Sequence, residues 1–383
     1  MNIPSPADAC PACSAPVGRE NPRFPPLQRV TSDCRPWPAG GRLVVCPRCG
    51  MVHKPADEAF HAEIDAIYAG YAIYHQSGGA EQRSFDTDSG IQSARSARLI
   101  GRLGDALRLP DQGRLLDVGC GNGATLRAFS AIRPGWTSVG TELDDRHRAE
   151  VEAIPGASFA AGPLTGIDGR FDLVTLIHVL EHIVEPIDFL RTLAGVIAPG
   201  GHLLVEVPHH PDNPFELLIA DHRSHFTTAT LPFALATAGY EVDIVTDGWI
   251  SRELSVVARP ATGPAALPGV DPDRAAAVID GSLDWLRRSL GALVALEQAD
   301  RPLGMFGTAI AGTWLVASSH AAVSFFVDED PHRVGRSHLG RPILAPAAVP
   351  PGSAVFVGLP PQAAAAVAQR LAMPTVAWIA PPP

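Results

Sequence analysis

Apolar residues between 113 and 259 fall into short continuous runs rather than one long stretch. Runs of this length fit strands that are buried on both faces, with helical segments between them. One helix is expected at 186–197, where Pro199-Gly200-Gly201 would stop it. Because strands that alternate with helices form parallel sheets, the pattern predicts a doubly wound α/β domain. The expected strands are 115–118, 137–142, 171–177, 202–208 and 253–259.

A glycine-rich turn follows the first expected strand, with Asp117 before Gly119, Gly121 and Gly123. Its G-x-G-x-G spacing differs from the G-x-G-x-x-G of dinucleotide-binding folds. Glycines adopt positive φ angles and let a ligand approach the backbone, while the next helix offers unpaired N–H groups at its start. The turn therefore predicts a site for a nucleotide-like cofactor. Glu142 ends the next strand about 20 residues further on, where a carboxylate accepts hydrogen bonds from a ribose diol.

Several segments in order resemble the motifs of class I S-adenosylmethionine-dependent methyltransferases. The glycine turn resembles their first motif, and 171–182 carries their F-D-L-V and H-V-L-E-H signature. The resemblance covers roughly 113–258 and implies S-adenosylmethionine as the cofactor. No carboxylate occurs at 157–164, where many relatives bind the adenine amino group, so backbone groups and apolar walls are expected there instead. The cofactor-binding residues implied are Asp117, Gly119, Gly121, Gly123, Glu142 and His178.

Composition narrows the class of function. The 383 residues suggest two or three domains, and a hydrophobic fraction of 46% is enough for sizeable cores. The formal net charge is −10 and Lys54 is the only lysine, so nucleic acid is not an expected partner. The first residues lack the pattern of a secretory signal, and the apolar stretch 305–327 fits strand, glycine turn, helix and strand better than a membrane span. A cytoplasmic protein is expected.

Five of the six cysteines precede residue 50. Cys10-Pro11-Ala12-Cys13 and Cys46-Pro47-Arg48-Cys49 are two C-x2-C pairs, and two such pairs complete the four-thiolate shell of a structural Zn²⁺ site. Disulfides are the alternative, which a reducing compartment disfavours, and four thiolates leave no open position for a catalytic zinc. Cys34 is a spare thiol or a replacement ligand. Cys120, inside the glycine turn, is interpreted as a packing residue.

The cysteine pairs in front of a methyltransferase core resemble a narrower family, the sugar C-methyltransferases that act on nucleotide-linked keto-deoxysugars. Tyr68, Tyr71 and Tyr74 also look like residues of that family, either as part of the site or as contacts that hold the zinc module to the core. The resemblance implies a zinc-binding module at 1–54, a connecting helical segment at 55–112, the methyltransferase core at 113–259, a linker at 260–271 and a C-terminal Rossmann-like α/β domain at 272–383.

Histidines follow the expected strands 171–177 and 202–208, at the expected ligand-binding edge of the sheet. Methyl transfer to a carbon beside a carbonyl, or to a hydroxyl, requires a base, and histidine suits that role at neutral pH. Asp221-His222 is similar to the family's Glu-His pair, and His182 matches its other active-site histidine. Ile219 and His225 stand where the family has tyrosines. The resemblance thus implies catalytic roles for these histidines, with Asp221 orienting the base.

Structural interpretations of the same histidines stay open. His222 could cap the following helix, and His182, beside Glu181, could simply hydrogen-bond locally. His209 and His210 are expected to be loop residues, with substrate contact as the alternative.

The last third of the chain resembles the family's C-terminal domain, with an amphipathic helix expected at about 273–299. Ala311 stands where the family has a lysine in a glycine turn. The loss of this lysine argues against the binding of a nucleotide diphosphate at the turn. Either Arg333, Arg336 or Arg341 contacts phosphate in its place, or all three are surface side chains. The residues that fit the family pattern are Gly307, Gly312, Asp328, Pro331 and Gly335.

The leading hypothesis is an S-adenosylmethionine-dependent methyltransferase that C-methylates a sugar, nucleotide-linked, with His222 or His182 as the base. An O-methyltransferase of a sugar or another small metabolite is the second hypothesis, since Ile219 and Ala311 depart from the C-methylating pattern. A binding or scaffold protein without turnover is a third. A nicotinamide-dependent reductase is disfavoured by the glycine spacing.

Overall fold

The structure is a computed structural model that describes residues 9–70, 83–85, 92–297, 301–319 and 322–383. Two of the expected aromatic residues, Tyr71 and Tyr74, lie outside these ranges. The two largest sheets of the described chain have seven and six strands. An N-terminal segment contacts elements that belong to both of these parts.

Helices and strands are numbered in chain order. Helices α1 to α9 are Glu58–Tyr68, Arg95–Ala106, Ala124–Ile132, Arg148–Glu152, Pro186–Ala194, Thr230–Thr237, Pro272–Leu296, Ile310–Ser319 and Pro361–Arg370. Strands β1 to β10 are Arg29–Val30, Pro36–Trp37, Val44–Val45, Val52–His53, Arg83–Phe85, Gln92–Ala94, Arg114–Val118, Thr137–Glu142, Ala157–Ala161 and Phe171–Ile177. Strands β11 to β20 are Ile197–Pro208, Ser224–His225, Tyr240–Thr246, Glu253–Pro260, Leu303–Phe306, Val323–Val327, Ser337–His338, Arg341–Leu344, Ala354–Val357 and Ala377–Ile379.

The larger sheet has seven strands in the order β13-β14-β11-β10-β7-β8-β9. Its pairs are parallel except for those of β14, which runs antiparallel to both of its neighbours. Leu115, Leu173 and Leu204 lie in the middle of the sheet with 0% exposure, because helices cover both faces. The predicted doubly wound sheet is confirmed. The loops after β7, β8, β10 and β11 meet along one edge, where the candidate site lies.

The strand expected at 202–208 begins earlier than predicted, and the helix before it is shorter. Helix α5 ends at Ala194, whereas β11 already starts at Ile197 and runs through Pro199-Gly200-Gly201. Phe171 pairs with Ile197 but Leu173 pairs with His202, so the extra residues bulge out of the strand. The proline and glycines that suggested a helix stop therefore form a strand irregularity, a common position for glycine with positive φ.

The N-terminal segment is joined to the larger domain by backbone pairing. Strands β3 and β4 form a three-stranded sheet with β12, in the order β12-β4-β3. His53 pairs with Ser224, and Lys54 N donates a 2.9 Å hydrogen bond to Arg223 O. The segment that carries the two pairs of cysteines thus holds the 221–226 loop in place.

The smaller sheet has the strand order β17-β18-β16-β15-β19-β20, and all its pairs except β17–β18 are parallel. Strand β15, the turn at Gly307, helix α8 and strand β16 have the arrangement predicted for 305–327. A Cβ at Gly312 would lie 1.9 Å from Gly307 O, so only glycine lets α8 pack this closely on the turn. None of the described helices is both long and apolar enough to cross a membrane. The division of the chain into five parts, at 1–54, 55–112, 113–259, 260–271 and 272–383, stays a prediction.

Candidate active site

The glycine turn between β7 and α3 is fixed by the neighbouring strand. Gly119 N and Cys120 N both donate to Thr141 O, at 2.9 and 3.0 Å. Gly119 has a φ of 68°, and a Cβ there would lie 2.5 Å from Val179 Cγ2. The turn therefore requires glycine at this position for both backbone and packing reasons.

Glu142 lies across the glycine turn at the end of β8. Its Oε1 accepts a 2.7 Å hydrogen bond from Gly121 N, and its side chain is partly exposed at the mouth of a cavity. In this position the carboxylate both orders the turn and faces the space where a ligand bound to the turn would lie. Gly162, Pro163 and Leu164 line the same side with backbone and apolar groups, as expected for a site without an adenine-binding acid.

Asp117 and Gly123 support the turn from below and do not line the cavity. Asp117 is 1% exposed, and its Oδ1 accepts a 2.6 Å hydrogen bond from Thr175 Oγ1. Burial raises the pKa of Asp117 to about 7. Gly123 precedes α3 with a φ of 82°, and a Cβ there would lie 2.7 Å from Ile154 Cδ1. These two predicted cofactor residues thus have structural positions beneath the turn.

One cavity of about 920 Å³ extends from the glycine turn to three other parts of the chain. Cys34 from the N-terminal segment, His182 and His222 after the sheet, and Arg333 from the C-terminal domain all line it. Gly121 marks the cofactor end of the same space. The cavity is therefore shared by all three parts of the chain.

His222 lines the cavity and is held by a buried glutamate. Its Nδ1 lies 2.6 Å from Glu216 Oε1, and the Nδ1 of His225 lies 3.1 Å from the same oxygen. Lys54 Nζ donates to His225 Nε2 at 2.9 Å and to the main-chain oxygens of Ile219 and His222. His225 is 0% exposed and does not line the cavity, so it supports Glu216 instead of facing a ligand.

His182 also lines the cavity and is held from two sides. Its Nδ1 lies 3.1 Å from both Tyr68 Oη and Asp221 O. The carboxylate of Asp221 accepts hydrogen bonds from Ser32 N and Ser32 Oγ, and its Oδ2 is 3.5 Å from His182 Nδ1. Asp221 is therefore beside His182, and Glu216 is the carboxylate that orients His222. The imidazole rings of His182 and His222 meet edge to face, with centroids 4.5 Å apart.

His178 is the third histidine of the cavity wall. Its φ of 55° is unusual for a residue other than glycine and turns the chain sharply after β10. Its Nδ1 lies 3.1 Å from Glu181 Oε1, and its Nε2 lies 3.4 Å from Glu253 Oε2. Glu181 thus holds His178 on the cavity wall.

Burial sets the charge of this cluster. It lowers the pKa of His222 to about 3 and that of His182 to about 4, so both imidazoles are neutral at pH 7. Burial also raises the pKa of Glu181 and of Glu216 well above the usual range, and lowers that of Lys54 to about 7.

The structure adds residues to the site that the motifs did not indicate. Glu216 and Lys54 hold the histidines from behind, and Ser32 fixes Asp221. Lys54 stands out in the sequence as the only lysine. Its burial, with 2% exposure, is visible only in the structure, and a buried ammonium group needs buried partners. His209 contacts Asp212 at 2.6 Å away from the cavity, which favours its interpretation as a loop residue.

The four paired cysteines come together at the start of the chain. Their Sγ atoms all lie within 4.8 Å of one another, with Cys10–Cys49 and Cys13–Cys46 both at 3.6 Å. Thiolates on one tetrahedral Zn²⁺ are about 3.8 Å apart, given Zn–S bonds of about 2.3 Å. The donor set and its geometry fit a structural zinc. Cys34 lies apart from this cluster, at the cavity.

The C-terminal glycine turn faces the same cavity. Gly307, Ala311 and Arg333 line it, and Arg333 is only 7% exposed. Arg333 Nη1 donates to Thr308 Oγ1 at 2.9 Å and lies 3.5 Å from Asp328 Oδ2. Of the three candidate arginines, Arg333 is thus the one buried at the cavity.

Residues 91–244 match the model of a protein family described as a methyltransferase domain. Together with the turn geometry, this decides the class of the core. The chain carries an S-adenosylmethionine-dependent methyltransferase domain.

Curated relatives of the methyltransferase domain match it in part. The ubiquinone biosynthesis O-methyltransferase of Caulobacter sp. (strain K31) is 35% identical over 108 residues, which are 26% of this chain and 42% of that protein. The protein with the same description from Ralstonia nicotianae is 33% identical over 105 residues, 25% of this chain and 43% of that one. The chain thus spans less than half the length of these relatives.

Among solved structures, CalO1, a methyltransferase in calicheamicin biosynthesis in its SAH-bound form, is similar with a TM-score of 0.37 and 24% identity. That similarity covers 44% of this chain and 54% of CalO1.

Proposed function

We propose that this protein transfers the methyl group of S-adenosylmethionine to a carbon of a nucleotide-linked sugar. The observation that carries the proposal is the single cavity of about 920 Å³, which joins the glycine turn, the buried histidines and the C-terminal glycine turn. A donor, a small acceptor and a nucleotide attached to that acceptor need adjoining subsites of this kind. The cysteine cluster Cys10, Cys13, Cys46 and Cys49 would bind a structural Zn²⁺.

The donor subsite is the turn that contains Gly119 and Gly121. S-adenosylmethionine, when bound, supplies an electrophilic methyl group on a sulfonium sulfur. Glu142 would accept hydrogen bonds from the ribose hydroxyls, and the backbone N–H groups at the start of α3 would face the cofactor's polar tail. The protein's contribution to transfer is then to position the acceptor in line with the methyl carbon.

The acceptor subsite is formed by His178, His182 and His222. Neutral imidazoles in a buried site can take a proton from a carbon next to a carbonyl, which leaves the enolate that attacks the methyl group. Glu216 would hold His222 in the required orientation, and Asp221 would do the same for His182. His225 would act through Glu216 and not on the acceptor itself.

The nucleotide subsite is assigned to the C-terminal glycine turn and Arg333. Arg333 is buried at the cavity, and the backbone of Gly307 and Ala311 leaves room beside it. A guanidinium in this position suits a diphosphate, so Arg333 would take the role of the lysine that Ala311 replaces.

O-methylation of a small metabolite is the second candidate. It is favoured by Ile219, which offers no hydroxyl to an enolate, and by the relatives described as O-methyltransferases. With that acceptor, the same histidine would deprotonate a hydroxyl.

The test is incubation with methyl-labelled S-adenosylmethionine and a panel of nucleotide-linked and free sugars, followed by mass spectrometry. We expect label on a carbon of a nucleotide-linked sugar, with solvent deuterium exchange beside its carbonyl. Label on oxygen without exchange would establish the second candidate. A calorimetric titration that shows no binding of S-adenosylmethionine would refute both.

A further inference from the structure

Three side chains at the acceptor end of the cavity have the chemistry of a metal site. Glu181, His182 and His222 each offer one ligand atom, and these atoms lie within 4.8 Å of one another. All three residues line the cavity, so an ion between them would also be reached by a molecule bound there. Two imidazoles and one carboxylate with open positions are a common donor set for divalent transition-metal ions.

The hydrogen bonds of His182 fix its tautomer in the form that a metal requires. Its Nδ1 lies 3.1 Å from Asp221 O, a main-chain oxygen that can only accept a hydrogen bond. Nδ1 therefore carries the hydrogen, and the lone pair is on Nε2. Metal-binding histidines characteristically donate their other ring N–H to a carbonyl or a carboxylate in this way.

His222 has the same arrangement with a different partner. With Lys54 protonated, its Nζ donates to His225 Nε2, so the Nδ1 of His225 carries a hydrogen and donates to Glu216 Oε1. The same oxygen lies 2.6 Å from His222 Nδ1 and accepts from it, which leaves the lone pair of His222 on Nε2. A carboxylate behind an imidazole raises its strength as a ligand.

Glu181 supplies an independent observation. Its side chain is 1% exposed, and Oε1 contacts His178 Nδ1 at 3.1 Å. Its other oxygen, Oε2, is buried without a hydrogen-bond partner among the described residues. A buried carboxylate oxygen without a partner is costly, and a bound cation would satisfy it.

We propose that Glu181, His182 and His222 bind a divalent transition-metal ion that holds an oxygen of the methyl acceptor. The ion would polarise that oxygen and make the acceptor more acidic. The proposal rests on the proposed function for the identity of the acceptor, and it changes the role of the two histidines. With Nε2 bound to the ion, neither is a free base, and the acceptor's proton passes to a hydroxide on the ion, which becomes water.

The electron pair that stays on the acceptor when the proton leaves then forms the bond to the methyl carbon. The carbon–sulfur bond breaks with its pair staying on sulfur, so the positively charged sulfonium becomes a neutral thioether. The cation keeps its charge throughout and no oxidant or reductant is needed.

Manganese is the probe of choice, because Mn²⁺ binds nitrogen and oxygen ligands and competes poorly for four thiolates. The full-length chain is titrated with Mn²⁺, and the free ion is followed by electron paramagnetic resonance. We expect one Mn²⁺ bound per chain. Glu181→Gln and His222→Gln should each weaken binding at least about tenfold, as losses at metal sites do. His202→Gln, a partly exposed histidine of the same sheet, should leave binding unchanged.

The group of His209, Asp212 and Asp247, in which both carboxylates are exposed, could also bind Mn²⁺, and Asp212→Asn identifies that case. Loss of binding in Asp212→Asn but not in Glu181→Gln would overturn the proposal, as would no bound Mn²⁺ at all. If either cavity variant fails to fold, pulsed resonance on the unaltered protein decides the matter. The same measurement on Asp212→Asn removes the second group: couplings to imidazole nitrogen that persist in this variant support the site, and their loss or oxygen ligation alone refutes it.

Calorimetry with S-adenosylmethionine on the same samples separates the two proposals. Donor binding without Mn²⁺ binding would refute the cation site alone. Mn²⁺ binding without donor binding would refute the methyltransferase function alone.

Discussion

Lys54 Nζ of the N-terminal segment makes a 2.9 Å hydrogen bond with Nε2 of His225, in strand β12, which lies between β11 and β13 in the chain. Its Nζ also donates to Ile219 O at 2.7 Å and to His222 O at 2.9 Å. This ammonium group is 168 residues from His222 in sequence, yet it satisfies the backbone on both sides of Asp221. The N-terminal segment is therefore part of the wall of the site.

Replacing Lys54 should damage both stability and the site. Lys54→Met keeps the length of the side chain but removes the Lys54 partner of His222 O and of His225 Nε2, at roughly 1–3 kcal/mol each. We expect the free energy of unfolding in urea to fall by at least about 2 kcal/mol and methyl transfer to drop with it. Arg42→Met, which removes a partly exposed ion pair with Asp57, should cost less than about 1 kcal/mol. Equal losses in the two variants would contradict the structural role of Lys54.

Adding one methyl group to the glycine turn should weaken donor binding. In Gly119→Ala the new Cβ would lie 2.5 Å from Val179 Cγ2 at a backbone φ of 68°, so the turn must move. We expect the affinity for S-adenosylmethionine in calorimetry to fall at least about tenfold, given strain of roughly 1–3 kcal/mol. Gly101→Ala in helix α2 meets nothing within 4 Å and should bind the donor normally. Normal binding by Gly119→Ala would place the donor elsewhere.

Removing one cysteine of the cluster should release the zinc. Cys10 is buried and lies 3.6 Å from Cys49, so Cys10→Ser removes one of four ligands. We expect elemental analysis to show one zinc per chain in the unaltered protein and less in this variant, with a lower melting temperature, because zinc binding contributes to folding. Cys34→Ser should retain the full zinc content. A variant of Cys10 that keeps its zinc would disprove the four-cysteine site.

Arg333 should matter only for acceptors that carry phosphate. We expect Arg333→Met to raise the KM for a nucleotide-linked sugar about tenfold or more, since a hydrogen bond to a charged group contributes roughly 1.5–3 kcal/mol. The KM for the corresponding free sugar should not change. Arg336→Met, at an exposed position, serves as the control. Equal effects on both sugars would remove Arg333 from the nucleotide subsite.

Much of the sheet could be predicted from local patterns. The strands at Thr137–Glu142 and Phe171–Ile177 have the bounds that the apolar runs indicated, because a parallel strand buried on both faces has a continuous apolar signature. The glycine turn could also be predicted from the sequence, since its positive φ angles favour glycine. Pro199-Gly200-Gly201 misled the prediction because the same residues stop helices and form bulges.

The partners of the site residues could not be predicted in the same way. Ser32 and Asp221 are 189 residues apart, and their hydrogen bond depends on the bridge between Val30 and Ile219. Glu216 lies only six residues from His222, but its contact depends on the irregular path of the loop. The motif resemblance identified the histidines. Which carboxylate contacts each histidine could be seen only in the tertiary structure.

The pairing of Val52–His53 with Ser224–His225 also determines which piece of the chain can be exchanged between proteins. The segment 91–244 that matches the family model contains the glycine turn, but it omits Ser32 and Tyr68, which line the cavity, and Lys54, which lies behind it. A chimera built by swapping that segment alone would inherit a methyl donor site from one parent and a mismatched acceptor wall from the other. Under the proposed function, acceptor preference is therefore expected to transfer only together with the N-terminal segment.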